Sequence, residues 1–571
     1  MGTASDVIGL LEIARGHFCD KTALRTEDDV KKISYGELWQ AVINTSSSLV
    51  AMGLNATDRV AILSENRPEW AVAFFGIIAA GARVVPLDTR LKENELAYIV
   101  NDSGASGIFF SERYLPQVKG LKETCGRLRL FISLDEVKDE IEPIPLAGMK
   151  CSRSYYRHQG SSLSDVATII YTSGSTGFPK GVELTHSNLL FEAKAFSDIL
   201  SAGPGDRILS FLPLNHALEL ICGLLGPLYS GTTITYLKDA RPDSLLRSLA
   251  QIKPTMVTIV PMLANLMYEN IIAEIKRRYV LRRLIFYAAL SLSGFFNLFG
   301  MNAGRALFGK VYQRFGGALR CLICGGAPLD KKVARKLALM GITILEGYGL
   351  TEASPTVSVN TFRENRIGSV GKPLPGVEVR IVKEHPSDPA GEIITRGPHV
   401  MKGYLNNTER THEAIRNGWL HTGDLGYLDK DGFLFVTGRL KNVIVTSMGK
   451  KVQPEEVENA LLRHPLIREV CVVGRRISEG VRKGGEEVYA VVVPDRDYIR
   501  KEYGEVTEAQ LQRLVGEAVR KSSGEIAGYK KITGFEIWEN ELPKTSTRKI
   551  RRVEILRQIR QRRNHETLTR R

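Results

Sequence analysis

Through roughly the first 370 residues, short apolar runs alternate with stretches that read as helices. Val60–Leu63 is one such run. Pro68–Ala80 follows as a helix, Gly81 as its stop and Arg83–Leu87 as the next strand. A strand–helix–strand rhythm predicts a parallel sheet with helical crossovers. The rhythm recurs at Ser106–Phe110, Ala167–Tyr171, Arg207–Leu212, Thr232–Leu237 and Met256–Val260, with no fixed-period repeat. From about Gly371 the texture changes to short strands punctuated by Gly and Pro. A last unit opens near Gly438, with a helix over Pro454–Arg463, strands Val470–Gly474 and Glu487–Val493, and a helix near Thr507–Ser522. The pattern predicts a large α/β domain followed by a small α+β domain.

One segment breaks the rhythm. Between Arg283 and Arg305 lie 21 residues without a charge, long enough to raise a membrane span. Asn, Gly and Ser dilute the run, and both flanks are basic. A single crossing would also place motifs that must share one site on opposite sides of a bilayer. An interfacial helix, apolar face in lipid and Lys/Arg toward anionic headgroups, fits better. Core packing or a homodimer contact is the competing use of the same residues.

A composition of 43% hydrophobic and 25% charged residues is that of a globular protein and excludes a disordered or fibrous chain. Lys and Arg number 78 against 63 Asp and Glu, a net charge of +15. The excess is local. Residues 275–320 hold nine Lys/Arg and no acid, residues 548–571 hold ten and two Glu, and the rest is close to neutral. Neither patch contains a nucleic-acid reading motif, so no nucleic-acid partner is expected. In the tail, Ile550, Val553, Leu556 and Ile559 recur at helical spacing among arginines, which adds to the expectation of membrane contact.

Seven scattered cysteines, an odd number, argue for a reducing compartment rather than a disulfide scaffold. Cys321 and Cys324 form a CxxC, but the flanking Leu322, Ile323, Gly325 and Gly326 read as a buried strand entering a turn. Asp6 and Glu12 interrupt any signal-peptide core, and Asp6 occupies the position where N-myristoylation needs Ser or Thr. The expected location is the cytoplasm, peripherally on the cytoplasmic face of the membrane.

The strongest chemical signal is Tyr171-Thr-Ser-Gly-Ser-Thr-Gly-Phe-Pro-Lys-Gly-Val182, directly after an apolar strand. Gly174, Gly177 and Gly181 let the backbone turn tightly and present N–H groups inward. Thr172, Ser173, Ser175, Thr176 and Lys180 add hydroxyls and charge, which is what a triphosphate needs. Gly-Lys-Ser/Thr is absent, so it is not a Walker loop. A flexible Gly/Ser linker would not carry Pro-Lys-Gly after a strand.

This loop resembles the phosphate-binding signature of the adenylate-forming superfamily, which includes acyl-CoA synthetases, peptide-synthetase adenylation domains and firefly-type luciferases. Other motifs agree in order: Gly325-Gly-Ala-Pro-Leu329, Gly347-Tyr-Gly-Leu-Thr-Glu352, Gly397…Gly403-Tyr404, Gly418-Trp-Leu-His-Thr-Gly-Asp424, Gly438-Arg-Leu-Lys441 and Pro543-Lys-Thr…Lys549. The match runs from about residue 20 to 555. It implies a large N-terminal multi-subdomain α/β domain over 1–440 and a small mobile C-terminal α+β domain over 441–571.

The resemblance also assigns roles. Lys549 would be the catalytic cation between carboxylate oxygen and α-phosphate. Thr351 would meet a phosphate oxygen, and Glu352, with Thr172, would hold Mg2+, a hard ion that prefers oxygen ligands. Gly325, Gly326 and Ala327 have no bulk, so an adenine could pack on their backbone, with Tyr348 on its other face beside Glu346 and Gly347. Asp424 would accept the ribose hydroxyls with help from Arg439. His216 would line the nucleotide or carboxylate pocket. Lys441 is the hinge position, and Gly449 and Lys450 would meet CoA. Two positions depart from the family pattern: Arg548 stands where Gly is usual and Asn442 where an acid is common.

Leu212-Pro-Leu-Asn-His-Ala-Leu-Glu219 and the basic apolar insert at 275–320 resemble long-chain fatty acyl-CoA synthetases of bacteria. The implied reaction takes a fatty acid, ATP and CoA to acyl-CoA, AMP and diphosphate. Two rivals stay open: transfer of the acyl group to an acyl carrier protein, and a non-enzymatic membrane- or lipid-binding relative.

Overall fold

The computed structural model describes residues 4–150, 161–172, 179–237, 242–277, 279–299, 301, 303–446, 450–476, 486–524, 526–544 and 550–569. The chain divides into two compact units, Met1–Val379 with Thr395–Leu420, and Arg380–Ile394 with His421–Arg571.

The first unit is built on two large sheets. In one, Arg59–Leu63 lies between Arg83–Pro86 and Gly107–Phe110, all parallel, with Val60 opposite both Val84 and Gly107. The crossover helix Pro68–Ala79 is buried on every side, because its sequence is apolar all round. Pro68 opens it where no N–H is needed, and Gly81, at φ +82°, supplies the left-handed turn after it. Val166–Thr172 and Lys180–Thr185 extend this sheet as an antiparallel hairpin, and Gly403–Tyr404 adds an edge.

The second sheet has nine strands. Ile344–Gly349, Cys321–Cys324, Met256–Ile259, Arg207–Ser210, Thr233–Tyr236 and Thr22–Thr26 lie parallel in that order. Parallel strands are buried on both faces, which is why they read as continuous apolar runs. Cys321 and Cys324 lie within one of them. Burial pushes the Cys321 thiol up to about 12, so it is an inert core group, as the flanking residues suggested.

In the second unit, Ile467–Arg476, Glu486–Pro494 and Gly534–Ile537 form a three-stranded sheet, and strand alternation feeds two cores. Val470, Val472, Val488 and Val492 face the helices Pro454–Leu461 and Glu508–Ser523. Cys471, Val473, Val491 and Val493 face Trp538, Leu542, Ile555 and Ile559. The basic tail forms a helix, Arg552–Thr569, whose Ile555 and Ile559 complete a core. That corrects the expectation of a lipid-facing stripe: Ile559 is buried and Leu556 packs against the same cluster, while Val553 is exposed. Arg552 is pinned between Glu455, at 3.1 Å, and Glu458.

Most of the charge-free segment lies in the helix Val280–Leu298, whose first turn carries Arg282 and Arg283. No helix among the described residues is long and apolar enough to cross a membrane. Phe286 and Leu290 pack into the neighbouring core, Phe286 meets Phe308 edge-on at 5.4 Å, and Ser293 donates to the Leu339 carbonyl at 2.7 Å.

Candidate active site

The hairpin that carries the glycine-rich loop is well defined at both ends, with Thr172 opposite Lys180. Ser173, Gly174, Ser175, Thr176 and Gly177 lie outside the described residues. At Gly181 a β-carbon would press on Ile169, Tyr171 and Leu405, so close packing favours glycine at the end of the motif. Tyr171 is anchored by donating its hydroxyl to Asp102 at 2.6 Å.

Three side chains from separate motifs meet beside this hairpin. The Lys180 ammonium sits over the Tyr404 ring, 5.1 Å from its centre, and the Tyr404 hydroxyl donates to Glu352 Oε1 at 2.9 Å. The edge strand Gly403–Tyr404 delivers the ring by pairing Tyr404 with Val182. The Met401 amide donates to the Glu352 carbonyl at 2.9 Å and holds the short Thr351–Ala353 turn in place. A phenol ring thus joins a cation to a carboxylate, and burial beside Glu352 pushes its own ionisation well above the ordinary tyrosine range.

The two other glycine motifs lie on adjacent parallel strands, with Cys324 opposite Glu346. Gly325 and Gly326 follow one strand, and Glu346, Gly347 and Tyr348 form the end of the other. Gly326 takes φ +87°, and Gly326 and Ala327 are exposed, leaving bare backbone at the surface. A β-carbon at Gly349 would fall onto the Pro355 carbonyl, so this glycine is required by the following turn. Burial pushes the Glu346 carboxyl up to about 7, against the opposing pull of the Gly368 amide and Lys331.

His216 precedes the short helix Ala217–Leu220 and is half-buried. Two carboxyl groups to which the sequence assigned no role, Glu219 and Glu192, are buried in the same unit. Glu219 is fully buried, accepts from Ser210 Oγ at 2.6 Å, and is pushed up to about 8. Glu192 is buried as well, accepts from the Thr356 amide at 3.2 Å, and is pushed well above the carboxylate range. Desolvation is the main cause in both cases.

In the second unit, Asp424 and Arg439 face each other across an antiparallel pair and form an ion pair at 2.9 Å. Asp424 is buried, its amide donates to Thr422 Oγ1 at 3.1 Å, and the Arg439 side chain is exposed. Lys441 sits in the turn Leu440–Asn442. Asn442 donates to Glu455 at 2.9 Å, and an acid there would repel that carboxylate, which gives a physical reason for the departure at this position. The Lys450 amide donates to Thr446 Oγ1 at 3.2 Å, while Gly449 lies outside the described residues. Lys549 and Arg548 also lie outside them. The residues bracketing that segment, Lys544 and Ile550, pair antiparallel, and Lys544 is held by Glu469 and by Glu541 at 3.1 Å.

Residues 11–405 match the AMP-binding enzyme family, and residues 456–549 match its C-terminal domain. The chain belongs to that family. It is an AMP-forming, ATP-dependent acyl-CoA ligase of the adenylate-forming fold. It is 36% identical over 446 residues to long-chain-fatty-acid–CoA ligase FadD15 of Mycobacterium bovis, covering 75% of this chain and 72% of that one. It is 30% identical to peroxisomal long chain acyl-CoA synthetase 6 of Arabidopsis thaliana, covering 90% and 76%. Among solved structures, ATP-bound MatB from Rhodopseudomonas palustris superposes with a TM-score of 0.75 at 26% identity, covering 97% and 99%.

For this AMP-binding enzyme the sequence placed the loop, Thr351, Glu352 and the Asp424–Arg439 pair in order along the chain. Tyr404 received no role, although its motif was in view. Its relation to Glu352 spans 52 residues, and no periodicity reports a contact of that range.

Proposed function

We propose that the protein is a long-chain fatty acid–CoA ligase working in two half-reactions. In the first, a fatty acid carboxylate oxygen attacks the α-phosphorus of ATP. The bond from that phosphorus to the bridging oxygen breaks, and diphosphate leaves. In the second, the CoA sulfur attacks the acyl-adenylate carbonyl, the bond to AMP breaks, and the thiol proton passes to solvent. Both partners of the first step are anions, so positive charge and positioning dominate its catalysis.

The observation that carries this reading is the Lys180–Tyr404–Glu352 assembly beside the phosphate-loop hairpin. Lys180 and the loop residues 173–177 are assigned to the phosphates, and Gly325–Ala327 with Glu346–Tyr348 to the adenine. Asp424 and Arg439 are assigned to the ribose, Thr351 and His216 to the reacting groups, and Lys549 to the α-phosphate. Mg2+ binds through one or two carboxylates together with substrate phosphates and retained water. The Glu352 carboxylate, oriented by Tyr404, is a donor of that kind, and the Thr172 hydroxyl would offer a further oxygen. The ion would supply charge neutralisation on the phosphates. Lys441 is assigned as the hinge, and Gly449 and Lys450 to CoA. Peripheral contact with an anionic membrane surface belongs to the same reading, because a long-chain acid resides mostly in lipid.

The test is diphosphate release with MgATP and palmitate, with and without CoA, for wild type and Lys549→Ala. Stimulation by CoA that the variant loses supports the reading. Acyl-AMP formed without a CoA effect moves the acceptor to a carrier protein. No release with any fatty acid overturns the long-chain assignment.

A further inference from the structure

The helix His186–Leu200 turns two polar side chains toward the segments that carry Tyr404 and Glu352. Asn188 and Glu192 stand one turn apart on one face, and both are buried. The Asn188 side-chain oxygen accepts from the Thr185 amide at 2.8 Å and so closes the helix start. Thr185 ends the strand that Lys180 begins. The Asn188 side-chain nitrogen reaches the other way, donating to the Pro398 carbonyl at 2.7 Å and to the Val400 carbonyl at 2.9 Å. The next amide along, Met401, is the one that donates to the Glu352 carbonyl, and Tyr404 follows three residues later. Glu192 grips the second segment. It accepts from the Thr356 amide at 3.2 Å, four residues past Glu352 and at the first position of the strand Thr356–Val359.

A helix start needs only an acceptor at this third position, which a carboxylate supplies as well as a carboxamide. A carboxylate has no hydrogen to give to two carbonyls, whereas a carboxamide carries an acceptor and two donors. Asn188 makes all three bonds, so its chemistry exceeds what capping asks of it. We infer that Asn188 and Glu192 are positioning residues for adenylation: they fix residues 398–401 and Thr356 on one rigid helix, and thereby set the Tyr404 hydroxyl on Glu352. The inference rests on the reading that the Lys180–Tyr404–Glu352 assembly serves the phosphates.

The experiment uses the full chain and two readouts, diphosphate release with MgATP and palmitate, and amide hydrogen exchange without ligands. It is run for wild type, Asn188→Ala, Tyr404→Phe, the double variant of these two, Glu192→Met and Glu192→Gln. Slight misplacement of a reacting group costs up to about a hundredfold, so Asn188→Ala should lower kcat by roughly tenfold or more. In the Tyr404→Phe background the same change should cost no more than about threefold, because the contact it supports is already gone. Glu192→Met should also lower kcat, and Glu192→Gln, which keeps an acceptor for Thr356, should recover most of that loss. Exchange should quicken by at least about tenfold in peptides spanning 398–404 for Asn188→Ala and 351–357 for Glu192→Met. The strands Arg207–Ser210 and Met256–Ile259 should exchange as in wild type, which shows that the variants are folded.

Losses from Asn188→Ala and Tyr404→Phe that simply multiply, or exchange raised evenly across the first unit, would overturn the inference. Asn188→Ala at full activity beside an impaired Tyr404→Phe would overturn it and leave the site reading standing. Tyr404→Phe as active as wild type would overturn both. Exchange needs no substrate, so unchanged protection at 398–404 refutes the inference even if palmitate is the wrong acid. Should Asn188→Ala fail to fold, the Glu192 pair decides: Met as active as wild type, or Gln no better than Met, counts against it.

Discussion

Glu219→Gln should remove a pH-dependent instability from the first unit. Glu219 is fully buried and its carboxyl is pushed from an ordinary 4.5 to about 8. It is therefore protonated in the folded protein at neutral pH and ionised in the unfolded chain. Between those two values the native state holds one more proton than the unfolded state, so stability falls as pH rises, and the fall levels off above about 8. At about 1.4 kcal/mol per pH unit, and allowing for curvature near the lower value, the loss between pH 5 and pH 7 is about 2–3 kcal/mol. Glutamine keeps the shape and cannot ionise. Its amide oxygen can still accept from Ser210, and the neutral group fits against Gly223, where a β-carbon would strike Glu219 Oε1. Urea denaturation of both proteins from pH 5 to pH 8 checks this. The variant should gain on wild type by that margin toward pH 7, and all other titrating groups cancel in the difference. Parallel pH profiles, or a variant that loses ground as pH rises, would refute the claim that burial holds this carboxyl neutral.

Tyr404→Phe keeps the ring under Lys180 and removes the hydroxyl that orients Glu352. A hydrogen bond to a charged group is worth about 1.5–3 kcal/mol, so kcat/KM for acyl-adenylate formation should drop by about tenfold to a hundredfold, measured as diphosphate release. Arg552→Ala leaves Glu458 and Glu455 facing each other in a largely buried site and should destabilise the second unit by about 3 kcal/mol, read by chemical denaturation of the full chain. Gly349→Ala would drive a methyl into the Pro355 carbonyl, and the expected outcome is loss of soluble protein or a strongly lowered melting temperature.

Much of the first unit was legible along the chain. The Pro68–Ala79 helix and its flanking strands were readable because period, Pro and Gly act within a few residues of where they stand. The order of the site motifs was legible for the same reason: a glycine turn after an apolar run is a local event. The second unit's strands extended beyond the expected spans, since Ile467–Arg476 and Glu486–Pro494 are prolonged by pairing with each other rather than by their own composition.

Sequence alone determined the alternation of elements, the glycine-rich hairpin, the chemistry available in it and the two basic segments. Only the tertiary structure decided what each polar or apolar residue meets. It set Tyr404 on Glu352, buried Glu219 and Glu192 so that both carboxyls are pushed upward, and turned Ile555 and Ile559 of the tail into core. It also left Leu284 and Phe295 of Val280–Leu298 exposed. The physical reason is range. Backbone preference and periodicity are local, whereas burial, pKa and contact depend on groups brought together from distant parts of the chain.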